Sequence, residues 1–172
     1  MNLDITKKYR VKNLTDSIIV TVASGLNGRR REWLMPDAIS YVTLEEIEEV
    51  MQTVGGKKIY ENSLKVYADD DVLEHLGLKT ISNLDTSDEA LKELFALDLM
   101  NFEKRLQNYP KDVYSRIVKY AVKSNITDLN IIDILTDNTK MNVLGAIRSN
   151  RKESSEKPKA TYEKVQDEKD KK

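Results

Sequence analysis

The sequence predicts an α+β protein: a small antiparallel β-rich N-terminal unit with short helices, then a small helical bundle, then a flexible charged tail. Three observations carry this. Up to about residue 80, short stretches alternate with a period of two and are separated by turns rich in Gly, Asn and Asp. From Thr86 onward the apolar spacing turns helical and stays so. Beyond Asn150 the chain is Lys, Glu, Asp, Ser and Pro, with Tyr162 and Val165 as its only sizeable apolar residues. Such a segment buries too little to offset the entropy of ordering it, unless a partner holds it. The expected organisation is a β-rich unit over 1–80, a helical unit over 81–150 and a tail over 151–172.

Tyr9-Arg10-Val11 and Ser17 to Val22 read as strands, with a turn at Leu14-Thr15-Asp16. In the second, Ile18, Val20 and Val22 fall on one face and Ile19 and Thr21 on the other, which suits cover on both faces. Two glycines and an asparagine in Ser24–Gly28 supply a tight turn. Arg29 to Leu34 is a third strand, with Arg29, Arg31 and Trp33 on one side and Arg30, Glu32 and Leu34 on the other. Pro36 and Asp37 interrupt before Ile39 to Val42, giving three or four antiparallel strands.

Thr43-Leu44-Glu45-Glu46 has the form of a capping box and opens a helix that buries Leu44, Ile47, Val50 and Met51 and stops at Gly55-Gly56. A further helical turn carries Ile59 and Tyr60, and Leu64 to Tyr67 returns as a strand. Asp69-Asp70-Asp71 caps a short helix through Val72, Leu73 and Leu76, closed by Gly77. Ile81 to Asp85 is expected as a linker. The helical unit then runs through Leu91, Leu94 and Phe95; Leu99, Phe102 and Leu106; Pro110 and Val113, Ile117, Tyr120 and Ala121; Leu129, Ile131, Ile132 and Leu135 behind Thr127 or Asp128; and Met141, Leu144 and Ile147. Four or five short helices with brief connections make a bundle, not a coiled coil.

Composition narrows the chemistry. The 172 residues contain no cysteine and one histidine, His75. Thiolate nucleophiles, zinc clusters and disulfides are excluded, and any Ser–His–Asp site would have to pass through one imidazole. Net charge is −1; eight basic and six acidic residues from Arg151 to Lys172 give +2 and leave −3 on the first 150. Neither value suits a duplex-binding domain, so nucleic acid is disfavoured as the main ligand. No apolar run approaches the length that spans a bilayer, and Met1–Thr6 lacks the apolar stretch of a secretory signal, so a cytosolic protein without a membrane partner is expected.

Candidate sites each have a plain structural alternative. Arg29-Arg30-Arg31 is the one dense basic cluster of the expected folded part, either an anchor for an acidic neighbour or phosphate, or a solubilising edge strand. Asp69-Asp70-Asp71 lacks the alternating ligands, glycine and distal glutamate of a calcium loop. Gly55-Gly56-Lys57-Lys58 lacks the spacing of a phosphate loop. Glu45, Glu46, Glu48, Glu49 and Glu61 are abundant carboxylates on an expected outer helix face, where solvated charge is the default. Trp33 and Tyr41 are either core or contact residues, and residue type favours core. No catalytic residue, cofactor or metal is expected.

In the first unit, Tyr9-Arg10-Val11-Lys12-Asn13, Arg30-Arg31-Glu32, Pro36, Tyr41 with Leu44-Glu45-Glu46, and Gly55-Gly56 before Leu64 resemble a family of small tailed-phage, virion-associated proteins. The helical half is similar through Ala96-Leu97-Asp98, Pro110-Lys111-Asp112-Val113, Asp133, Thr139 and Ala146-Ile147-Arg148-Ser149-Asn150. The resemblance covers about residues 8–150 and departs at Val42-Thr43 and Gln52-Thr53-Val54. It implies a virion or particle-assembly context, located in the virion and in the host cytoplasm during assembly, and it carries over no catalytic residue. The expectation is a non-enzymatic, capsid-associated structural protein present in many copies. Its partners would be other virion proteins, capsid or neck and tail subunits, with Arg29, Arg31 and Trp33 as the partner-binding residues. The alternatives are a small adaptor or regulator in the infected cell that binds nucleic acid, and a hydrolase or nuclease built on scattered carboxylates.

Overall fold

The computed structural model describes residues 3–156, and its architecture is α+β, with antiparallel strands in the first half and helices after them. The strands are β1 (Lys8–Asn13), β2 (Ile19–Ala23), β3 (Arg29–Trp33), β4 (Ile39–Thr43) and β5 (Leu64–Tyr67). They form two antiparallel sheets: β1 lies between β4 and β5, and β2 pairs with β3 as a separate hairpin. The first two strands therefore do not pair with each other. Asn13 explains the parting. Its buried side-chain amide donates to the Ser17 carbonyl at 2.8 Å and the Met35 carbonyl at 3.2 Å, while its Oδ1 accepts from the Thr15 amide at 2.9 Å. This corner swings the chain out of one sheet and into the hairpin.

The hairpin turn is a short 3-10 stretch, Ser24–Leu26, followed by Asn27 at φ 58° and Gly28 at φ 67°, two residue types that tolerate the left-handed region. Of the β2 faces, only Ile19, Thr21 and Ala23 are covered; Ile18, Val20 and Val22 face outward, contrary to cover on both sides.

The predicted capping box is present. Thr43 Oγ1 accepts from the Glu46 amide and Glu46 Oε2 accepts from the Thr43 amide, opening α1 (Leu44–Met51). This helix ends at Gln52, three residues before Gly55-Gly56. Gly56 instead begins α2 (Gly56–Asn62), in a spot where a Cβ would sit 1.9 Å from the Val50 carbonyl oxygen. Glycine is required there by close approach, not by a helix ending. Gly77 does close α3 (Asp70–Leu76), with the Leu78 amide reaching the Leu73 carbonyl at 2.8 Å. Asp69 precedes α3 without a side-chain capping bond and pairs with Lys7 at 3.3 Å instead.

Ile81 to Asp85 is not a free linker. α4 (Lys79–Ser82) buries Ile81, the Leu84 carbonyl accepts from Lys65 Nζ at 2.7 Å, and Asp85 meets Lys12 Nζ at 3.0 Å. The helical half follows as α5 (Asp88–Phe95), α6 (Leu99–Leu106), α7 (Tyr114–Lys123), α8 (Leu129–Thr139) and α9 (Val143–Glu156), with Ser87, Asp98 and Asp128 as side-chain caps. Phe95 meets Phe102 and Tyr120 at centroid distances of 5.3 and 5.5 Å. Leu99, Leu129 and Met141 lie outside the packed stripe. α9 carries on past Asn150 to Glu156, so the first six residues of the expected tail are helical; the rest of that tail lies outside the described residues.

The buried apolar side chains of both halves belong to one cluster, from Tyr9 and Val11 to Val143 and Ile147. Polar contacts fasten the helices to one end of the strands: Thr86 Oγ1 donates to the Leu14 carbonyl, Tyr109 Oη to the Asp85 carbonyl, and Lys119 pairs with Asp16 at 2.9 Å. Asp37 sits between Lys12, 2.7 Å away, and Arg116. Burial pulls Lys12 down, but Asp37 and Asp85 outweigh it and hold the ammonium above its ordinary value.

Candidate partner-binding surface

Strand alternation on β3 sends Arg29, Arg31 and Trp33 to one side, as expected, but that side faces inward. Trp33 is wholly buried, and its indole N–H donates to the Val11 carbonyl at 2.9 Å. A partner-binding role for Trp33 is therefore corrected to an internal one: it ties the hairpin to the three-stranded sheet. Arg31 Nη2 reaches both oxygens of Glu46, at 2.8 and 3.1 Å, and Arg29 Nη1 stands 3.7 Å from the same carboxylate. The acidic neighbour expected on a partner is thus supplied by this chain's own α1. Arg31 is largely spent on that contact, and Arg29 keeps about half its side chain exposed, at 53%.

Glu46 is the centre of this inner network, with 2% of its side chain accessible. Burial pushes its carboxyl up, but the Thr43 amide, Arg31 and Arg29 outweigh that and hold it below its ordinary value. Tyr60 is buried close by, and burial followed by the Glu46 charge pushes its phenol up. Among the described residues, Arg31 Nε and the Tyr60 hydroxyl are buried beside Glu46 without a hydrogen-bond partner.

The opposite alternation exposes a different set of side chains. In the three-stranded sheet, Arg10 on β1 stands across from Tyr41 on β4 and Tyr67 on β5, making one row across the sheet. The Arg10 guanidinium lies 3.8 Å from the Tyr67 ring centroid, and Lys65 Nζ lies 5.0 Å from it. Tyr41 is 60% exposed and Ile39, two residues away on the same face, is 50% exposed. Leu34 and Met35, in the link between β3 and β4, are 59% and 63% exposed. Lys8 continues the face beyond the Arg10 row, across from Thr43. Of this set, sequence reasoning singled out Tyr41 alone. Arg10 and Tyr67 were legible as outward positions only once the strand register was known.

Other sequence candidates separate. His75 Nε2 contacts Glu48 Oε1 at 2.6 Å on the surface between α1 and α3. Asp70 and Asp71 are exposed in the first turn of α3, and Lys57 pairs with Glu61 at 3.6 Å. Among the described residues, no group of three or more His, Asp or Glu side chains is placed to hold a metal ion, and no helix is long and apolar enough to cross a membrane. Comparison with protein-family models, with curated proteins and with solved structures found no match.

Proposed function

We propose that this chain is a non-enzymatic structural subunit of a phage particle, capsid-associated and present in many copies, which acts by protein–protein contact during assembly or stabilisation. The observation that carries the docking part is the outward sheet face. Tyr41, Arg10 and Tyr67 in one row, with Ile39 two residues from Tyr41 on the same face and Leu34 and Met35 exposed in the β3–β4 link, have the aromatic, arginine and methionine content that concentrates binding energy at interfaces. Asp37, Asp85 and Leu84 cover the Lys12–Lys65 end of this face, and the Tyr41 end stays exposed among the described residues, as an adjoining apolar and aromatic patch at an interaction site would. The phage context rests on the resemblance over about residues 8–150. High copy number makes a modest interface sufficient, because many weak contacts act together. The docking residues in this reading are Arg10, Tyr41 and Tyr67, with Arg29 as an outlying contributor; Arg31 and Trp33 serve the fold.

Mass spectrometry of washed virions tests the reading. The chain is expected among the particle proteins, and Arg10→Glu with Tyr41→Ala should lower its incorporation at least about tenfold while the isolated variant keeps its melting temperature. Absence from washed particles despite abundant expression would overturn the proposal.

A further inference from the structure

Every charged outward ladder position of the three-stranded sheet is basic: Lys8, Arg10 and Lys12 on β1 and Lys65 on β5, beside Ile39, Tyr41 and Thr43 on β4. Asp37 and Asp85 neutralise Lys12 at the end where the helical half docks. The accessible charge is therefore Lys8 and Arg10, with Lys65 half-buried beside them. A different side of the same unit is acidic. α1 buries Leu44, Ile47 and Val50 and leaves Glu45, Glu48 and Glu49 half-buried, Glu49 accepting from the Gly25 amide, while α3 buries Val72, Leu73 and Leu76 and exposes Asp70, Asp71 and Glu74, the last 3.7 Å from Lys79. The His75–Glu48 contact at 2.6 Å brings the carboxylate-bearing sides of the two helices together. Tyr9, Val11 and Val42 turn into the core shared with Leu44 and Ile47, so Lys8, Arg10 and Tyr41 turn away from it.

We infer that these two surfaces meet between copies of this chain: the basic, aromatic sheet face of one copy docks on the acidic α1–α3 surface of the next. This rests on the docking reading above and names its partner. The charges are complementary, and the near-zero net charge leaves little long-range repulsion between copies. The same near-zero balance, with three exposed and three half-buried carboxylates on α1 and α3, opposes a polyanion such as nucleic acid as the occupant. Two different patches in contact make a heterologous interface, which propagates into a ring or a filament instead of closing a two-fold dimer.

Sedimentation velocity on the full chain tests this. In about 20 mM salt the weight-average sedimentation coefficient should rise with protein concentration, and in about 500 mM salt it should return to the monomer value, as screening shortens the reach of exposed charges. Lys8→Glu with Arg10→Glu should weaken association at least about tenfold, and so should Glu48→Lys with Glu74→Lys. Mixing the two variants should restore it, because each reversed face then meets a complementary one; unchanged circular dichroism and melting show that both remain folded. A wild-type chain that stays monomeric in low salt, or an association indifferent to charge reversal, would overturn the inference. So would binding of a single-stranded oligonucleotide by the wild type that the Lys8→Glu, Arg10→Glu variant loses. A monomeric wild type whose incorporation into particles still depends on Arg10 and Tyr41 sinks the self-contact alone; loss of that dependence sinks the docking reading itself.

Discussion

The inner face of β3 and the outer face of the three-stranded sheet are built from the same materials and put them to opposite uses. On β3, Arg29, Arg31 and Trp33 turn inward, where Glu46 neutralises the guanidinium groups and the Val11 carbonyl accepts the indole proton. On the outer face, Arg10 stacks on Tyr67 across from Tyr41, and no carboxylate occupies an outward position of the ladder. Arginine with aromatics is therefore not by itself a surface signature. What separates the two faces is a carboxylate on a packed helix. One strand has α1 behind it to supply that partner; on the other face the 81–85 segment and Asp37 reach only the Lys12–Lys65 end, and among the described residues the Arg10–Tyr41 end stays accessible.

The sharpest way to break this comparison is at its buried end. Trp33→Ala removes a wholly buried indole and its hydrogen bond and should cost about 3–5 kcal/mol, read as a fall in the urea midpoint with little change in slope. A loss under 1 kcal/mol would return Trp33 to the list of contact residues. Glu46→Gln comes next, at about 2–3 kcal/mol, because it leaves Arg31 short of its counter-charge and weakens the cap on α1. This substitution also carries a pH signature. The folded-state Glu46 carboxyl is held below its ordinary value of 4.5, so its contribution is complete above that pH and is lost as pH falls through the folded value. Wild-type stability should accordingly drop below about pH 4.5 more steeply than that of Glu46→Gln, in denaturant titrations at stepped pH. The smallest effect belongs to the outer face. Tyr41→Ala with Arg10→Ala should change stability by no more than about 1 kcal/mol, since both side chains are exposed and only the Arg10–Tyr67 stack is lost. A large loss there would make that face structural and erase the contrast.

Local rules in the sequence reached most of the elements. The Thr43–Glu46 box, the Ser24–Gly28 turn, the strand alternation on β3 and the helical stripe through Ile117 and Ala121 are all short-range patterns, and each is present. The failures are of another kind. The parting of β1 from β2 depends on where the Asn13 amide finds carbonyls, one of them at Met35, 22 residues away. The tightness of the 81–85 segment depends on Lys12 and Lys65 reaching it from two strands. The Gly55-Gly56 pair satisfies a helix-ending rule by composition, yet Gly56 is required by contact with Val50. The candidate surface suffered most, because strand alternation assigns residues to two sides without saying which side is wet.

By itself, then, the order of residues determined the element types, the absence of thiol chemistry and the pairing of Arg29, Arg31 and Trp33 on a common side, since these follow from period, capping and inventory. Which side of each strand is buried, which carboxylate answers which arginine and which tyrosines stay accessible were decided only in three dimensions. The reason is that burial belongs to pairs of distant segments: α1 covers one strand surface and leaves another bare, and no local pattern encodes that choice.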